Sequence, residues 1–69
     1  MVISFDEHDR VHEVWVALQH GDPLAQPESF VIGAGETKEQ AFASARKALE
    51  QATDDLVVLA SDHGVTVPR

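Results

Sequence analysis

The run Gly35-Glu36-Thr37-Lys38-Glu39-Gln40-Ala41-Phe42-Ala43-Ser44-Ala45-Arg46-Lys47-Ala48-Leu49 constrains the fold of this chain more than any other stretch. Thr37 is a good helix N-cap, because its hydroxyl can accept from a free amide of the first turn. Gln40, three residues on, completes an S/T-x-x-E/Q capping box, and Glu39 lies in the first turn, where the helix dipole favours a negative charge. From there Ala41, Phe42, Ala45, Ala48, Leu49, Ala52, Leu56, Leu59 and Ala60 recur at helical spacing. At 100° per residue they share one arc, while Glu39, Arg46, Lys47 and Glu50 fall outside it. The pattern predicts one amphipathic helix whose alanine-rich side packs closely on a sheet.

That helix has a length problem. Continued from 38 to 61 it would run about 36 Å, whereas strands of seven or so residues span only about 23 Å. Either its last turns overhang the sheet, or it breaks near Thr53-Asp54-Asp55, with Thr53 capping a second short helix. Val57 and Val58 lie off the main stripe, so a lone chain is expected to expose them. Gly64 is a plausible stop just after His63. Val65-Thr66-Val67 reads as a short edge strand or a loose tail, which Pro68 ends.

The preceding half reads as strands. Residues 2–5 are short and rich in β-formers, and Asp6-Glu7-His8-Asp9-Arg10 reads as a turn. Residues 11–19 alternate, with Val14, Val16 and Leu18 pointing one way and Glu13, Trp15, Ala17 and Gln19 the other. The first two strands should pair as an antiparallel hairpin. His20-Gly21-Asp22-Pro23 breaks the second strand, and residues 20–27 read as a loop. Residues 28–33 form a third strand, which Gly33-Ala34-Gly35 ends through glycines free to take positive φ. The expectation is a single α+β domain over 1–69: a three-stranded antiparallel sheet packed on one long C-terminal helix, β-β-β-α, with a possible short final strand.

Sixty-nine residues leave room for one small core, and with no cysteine neither a disulfide nor a thiolate metal site can staple it. Such a chain gains from self-association, with a dimer the first guess. Twelve acidic against five basic residues give a formal charge of −7, a sign that repels phosphate backbones and argues against autonomous nucleic-acid binding. It suits a basic protein partner, or simply solubility. Residues 1–35 hold six of the acidic groups against Arg10 alone, so the strand half carries the negative field. No basic start followed by an apolar run appears in residues 1–30, and Leu56-Val57-Val58-Leu59-Ala60, which no apolar stretch of the chain exceeds, is far short of the roughly 20 residues of a membrane span. The expected location is cytoplasmic.

The run from Gly35 to Leu49 resembles the HicB-like antitoxin family of small three-stranded domains, in which a third strand leads into a pattern close to G-D-T-x-x-E-A-x-x-x-A-x-x-A-L. Gly35 takes the glycine position, Glu36 the acidic one and Thr37 the cap; Gln40 stands for the usual Glu, and Ala41, Ala45, Ala48 and Leu49 follow in register. With the strand order, the resemblance spans about residues 1–52. The Pro23 to Pro27 loop stands where the family has a Pro-x-Leu-Pro-Gly-like turn, and Lys38 replaces a common apolar residue. No C-terminal ribbon-helix-helix or helix-turn-helix segment follows. The resemblance therefore implies the partner-binding or oligomer-forming half alone, as in short stand-alone members. The partner it implies is a small basic RNA-cleaving toxin of double-stranded-RNA-binding fold.

Candidate chemistry is sparse. His8 and His12 flank the first turn, with Asp6, Glu7, Asp9 and Glu13 nearby, but residues four apart in a strand lie about 13 Å apart. A solvated polar hairpin is the expected reading, with no metal and no cofactor. His20-Gly21-Asp22 pairs an imidazole with a carboxylate, yet no G-x-S-x-G and no cysteine supplies a nucleophile; Ser29, Ser44 and Ser61 sit in a strand start, on a helix and near a helix end. Gly33 and Gly35 begin no phosphate loop. No enzyme is expected.

Trp15 is the most informative single side chain. If the helix covers the Val14, Val16 and Leu18 face, Trp15 is open to water beside Val11 and Ala17, which marks an interface. The alternative is the reversed register, with Trp15 under the helix. The sequence thus leads to a non-catalytic protein-binding or oligomerisation module, with an interface at Trp15, Val11, Ala17, Val57 and Val58. The alternative is an acidic inhibitor of phage or mobile-element type that mimics nucleic acid, or a small structural protein.

Overall fold

Asp9 and Arg10 turn the chain between two strands, β1 (Val2–His8) and β2 (Val11–Leu18), which pair antiparallel with His8 opposite Val11. Asp9 takes the left-handed backbone region, φ 52°, which aspartate tolerates better than most residues. The turn is therefore two residues long, and Asp6, Glu7 and His8, expected within it, belong to β1. A third strand, β3 (Glu28–Gly35), pairs antiparallel with β2, giving one sheet in the order β1-β2-β3. Two helices follow, α1 (Lys38–Ala48) and α2 (Thr53–Asp62). The computed structural model describes residues 2–18, 28–50 and 53–68. The expected loop over 20–27 lies outside the described residues.

Both helices lie on one side of the sheet, α1 across β3 and β2 and α2 against β1. The side they cover carries Val14 and Val16, both buried, as the alternation in β2 requires. Paired across the sheet on this side are Phe5–Val14–Gly33 and Ile3–Val16–Phe30. The core adds Ala41, Phe42 and Ala45 from α1, Leu56 and Ala60 from α2, and Val65 and Val67 beyond it. Phe5 stacks on Phe42 with ring centroids 5.2 Å apart, joining β1 to α1.

Gly33 and Gly35 do not end β3 through positive φ; both lie within the strand, and among the described glycines only Gly64 has a positive φ. Their role is proximity. A β-carbon on Gly33 would stand 2.4 Å from the Ala41 carbonyl oxygen and 2.5 Å from the Ala45 nitrogen. One on Gly35 would stand 2.5 Å from the Gln40 β-carbon. The missing side chains let α1 lie directly on the strand, and Ala41 and Ala45 supply the matching small surface.

The start of α1 forms as its sequence demands. Thr37 is extended at φ −129°, ψ 160°, and its Oγ1 accepts from the Gln40 amide at 3.1 Å. The Gln40 side chain returns the bond to the Glu36 amide at 2.9 Å, one residue before the cap. Two free donors of the first turn and its approach are thereby satisfied.

The single long helix is corrected to two short ones. Leu49 leaves helical geometry at φ −101°, ψ 113°, while its amide still bonds the Ala45 carbonyl. Arg46 Nη1 donates to the Leu49 carbonyl at 3.3 Å, satisfying an acceptor that the helix end leaves free. The break turns the second half toward β1, where Leu56 and Ala60 become fully buried. An unbroken helix would carry these residues past the end of its sheet. The shared apolar arc left the choice open, because both halves bury the same phase; the alternative of a second short helix starting at Thr53 is the one the structure takes, with the break after Ala48. Ala48, expected on the buried arc, is exposed at the end of α1.

After α2 the chain makes a Schellman stop. The Val65 amide bonds the Ala60 carbonyl at 2.8 Å, the Gly64 amide bonds Ser61 at 3.0 Å, and Gly64 has φ 77°. Val65 and Val67 then insert into the core, and Arg46 Nε donates to the Pro68 carbonyl at 3.2 Å. This segment is neither a strand nor loose, but an extended strap held to α1. Among the described residues no helix is long and apolar enough to cross a membrane.

Candidate protein-binding face

No described element covers the other side of the sheet. Its side chains stand in four cross-strand rows: His8–Val11, Asp6–Glu13–Ala34, Ser4–Trp15–Val31 and Val2–Ala17–Ser29. Trp15 is at the centre, half-buried between small or short neighbours. Val2, Val11 and Val31 are exposed at 55%, 48% and 40%. Val2 and Val31 lie beside the Trp15 row, and Val11 lies beyond the Asp6–Glu13 row, on a face that no described element covers. The reversed register for Trp15 is thus excluded.

Val31 reaches this face through an irregularity. Val14 pairs with Gly33 but Trp15 pairs with Val31, leaving Ile32 as an extra residue in β3. Strict alternation back from Gly33 would have placed Val31 under the helices and Ile32 outside. Instead Ile32 packs against the core and Val31 flanks Trp15. The bulge was invisible in the sequence. Val2 was accessible to sequence reasoning, since a two-residue turn at Asp9-Arg10 sets the register that places it beside Ala17.

The electrostatics of the face are one-sided. Asp6 and Glu13 are directly opposed, an arrangement of like charges that weakens strand pairing. The Asp6 carboxylate is held in place: Oδ1 accepts from the Glu7 amide at 2.8 Å, and Oδ2 lies 2.7 Å from His8 Nε2. Glu13 is half-buried, and its carboxylate has no hydrogen bond or ion pair among the described residues. Trp15 Nε1 is shielded and also has no hydrogen-bond partner among them. The described basic residues lie elsewhere, Arg10 in the hairpin turn and Lys38, Arg46 and Lys47 on α1.

His8 and His12 do not converge. Because the turn is Asp9-Arg10, His8 projects from the open face and His12 from the helix side, where it stacks on Phe5 at 6.0 Å. His12 Nε2 lies 3.3 Å from Glu7 Oε1, and its shielded Nδ1 has no partner among the described residues. His63, at the end of α2, packs on the same Phe5 ring at 4.5 Å. Among the described residues no group of three or more His, Asp or Glu side chains is placed to hold a metal ion. The His20-Gly21-Asp22 pair lies outside the described residues.

The five expected interface residues are only partly brought together. Val11, Trp15 and Ala17 share the open face. Val57 is corrected: it packs against the core, because the break after α1 rotates α2 onto β1. Val58 is 59% exposed but belongs to α2, in the layer on the opposite side of the sheet from Trp15.

The class that fold and face define is a two-layer α+β domain with helices on one side of a three-stranded sheet and no described element over the other. Comparisons with protein-family models, curated proteins and solved structures found no match.

Proposed function

We propose that this chain is a non-catalytic protein-binding module and that the sheet face around Trp15, which no described element covers, is its working surface. The observation that carries the reading is exposed Val2 and Val31 beside a half-buried tryptophan, with exposed Val11 beyond the Asp6–Glu13 row, on a face that no described element covers. The partner is a basic protein, since the face carries Asp6 and Glu13, no described Lys or Arg, and the chain has a formal charge of −7. The HicB-like resemblance of Gly35–Leu49 points the same way and would make that partner a small RNA-cleaving toxin. Self-association through the same face is the competing occupant.

Retention of native-source proteins on immobilised wild-type chain, Trp15→Ala and Val58→Asp tests the reading. A small basic protein held by wild type and by V58D but lost with W15A supports it. Equal retention by all three removes the sheet face from the function. Sedimentation velocity on the same proteins separates a homodimer from a partner complex.

A further inference from the structure

We propose that Asp6 and Glu13, with Trp15 beside them, seat one arginine of the basic partner, followed two residues later by an apolar side chain. The inference rests on the open face being a protein-binding surface and specifies what that surface reads. Three observations converge on it. Glu13 is half-buried, yet its carboxylate has no hydrogen bond or ion pair among the described residues. It stands directly across from a second carboxylate, Asp6, which bonds from the Glu7 amide and His8 hold in one orientation. Trp15 follows Glu13 on the same face, and the flanking residues Ser4 and Ala34 are too small to wall off either group.

The geometry suits a guanidinium. Directly opposed residues hold their β-carbons about 4.5–5.5 Å apart, so both carboxylates reach one planar group with five N–H donors. Trp15 lies roughly 7 Å along the strand, within the span that lets an arginine pair with Glu13 while lying over the indole face. A lysine ammonium offers neither the fork nor the flat stacking surface. The next row, Val2–Ala17–Ser29, together with Val31, presents an apolar floor one strand repeat further on. The partner segment is therefore extended, with the pattern Arg-x-apolar.

A second copy of this chain does not meet these terms. Its own sheet face has no described cation, so stacking two faces sets carboxylate against carboxylate or against the valine row. A metal ion is disfavoured, since the described residues form no three-ligand group.

The test uses the full chain and a nine-residue capped peptide alternating Arg or Leu with Thr. The chain has one tryptophan and no tyrosine, so emission reports directly from the proposed seat. Saturable binding is expected, weakened at least tenfold by citrulline in place of arginine and by Glu13→Gln. Asp6→Asn should weaken it several-fold, and Asp62→Asn on α2 should leave it unchanged. Circular dichroism on each near-isosteric variant establishes that the fold is kept. Unaltered affinity in E13Q, or equal weakening by D62N, overturns the seat in favour of diffuse charge attraction. Absence of peptide binding also overturns it; if W15A still loses the native basic partner, the binding-module reading survives, and if it does not, both fall.

Discussion

Gly33 on β3 and Ala45 on α1 approach so closely that a β-carbon on the glycine would stand 2.5 Å from the Ala45 backbone nitrogen and 2.8 Å from its α-carbon. Both are backbone atoms of a helix, so the conflict cannot be relieved by turning a side chain. The contact sets how near α1 lies to the sheet, and hence how fully Phe42 fills the space above Val14.

Gly33→Ala is accordingly expected to lower stability by about 2–3 kcal/mol through overpacking. Gly64→Ala provides the contrast. A β-carbon there meets nothing within 4 Å, but φ is 77°, so the cost is backbone strain of about 1–2 kcal/mol. Urea denaturation of both variants checks the order. A milder effect at Gly33 than at Gly64 would mean that α1 can slide.

Leu56→Ala should cost about 3 kcal/mol, because the side chain is fully buried where α2 meets the sheet. Val58→Ala should fall within about 0.5 kcal/mol, its side chain being 59% exposed. The pair distinguishes two short helices from one overhanging helix, in which α2 would carry little core. Denaturant midpoints measured by circular dichroism decide between them.

Thr37→Ala should cost about 1 kcal/mol, the usual value of an N-cap hydroxyl. Gln40→Ala removes only the bond to the exposed Glu36 amide and should cost less. Thermal melts monitored at the helix signal read both.

Arg46→Ala frees the Pro68 and Leu49 carbonyls, loosening the strap that carries Val65 and Val67. With about 1 kcal/mol lost, amide exchange at Val65, whose N–H bonds the Ala60 carbonyl, should quicken roughly fivefold while that of β2 is little changed. Hydrogen-exchange mass spectrometry resolves the two segments. Uniform acceleration would show that Arg46 supports the whole domain rather than the strap.

Glu13→Gln removes a like-charge opposition to Asp6 and should raise stability by about 0.2–1 kcal/mol. The same substitution is expected to weaken binding of the arginine peptide at least tenfold. A variant that is more stable and binds less would show that the carboxylate pair is kept at a cost to the fold. A destabilised E13Q would instead make Glu13 a structural residue.

The sequence by itself determined the elements whose signals are local. The alternation in residues 11–18 placed Val14 and Val16 on one face and Trp15 on the other, because side chains of a strand project by turns to either face; which face the helices cover was left to the structure. Thr37 and Gln40 set the start of α1, and Gly64 the end of α2, because caps and stops are made from neighbouring backbone groups. Tertiary structure alone decided the rest. The break after Ala48 follows from a sheet too short for one helix, while the arc of apolar residues runs through it unbroken in phase. The bulge at Ile32 exchanges the faces of Val31 and Ile32, and no residue pattern announces it. Gly33 and Gly35 looked like turn residues and proved to be points of contact, since whether a missing side chain serves rotation or proximity depends on what lies across from it. The open face likewise exists only once both helices have chosen the other side, which brings Asp6, Glu13 and Trp15 together on a surface that nothing in the described chain covers.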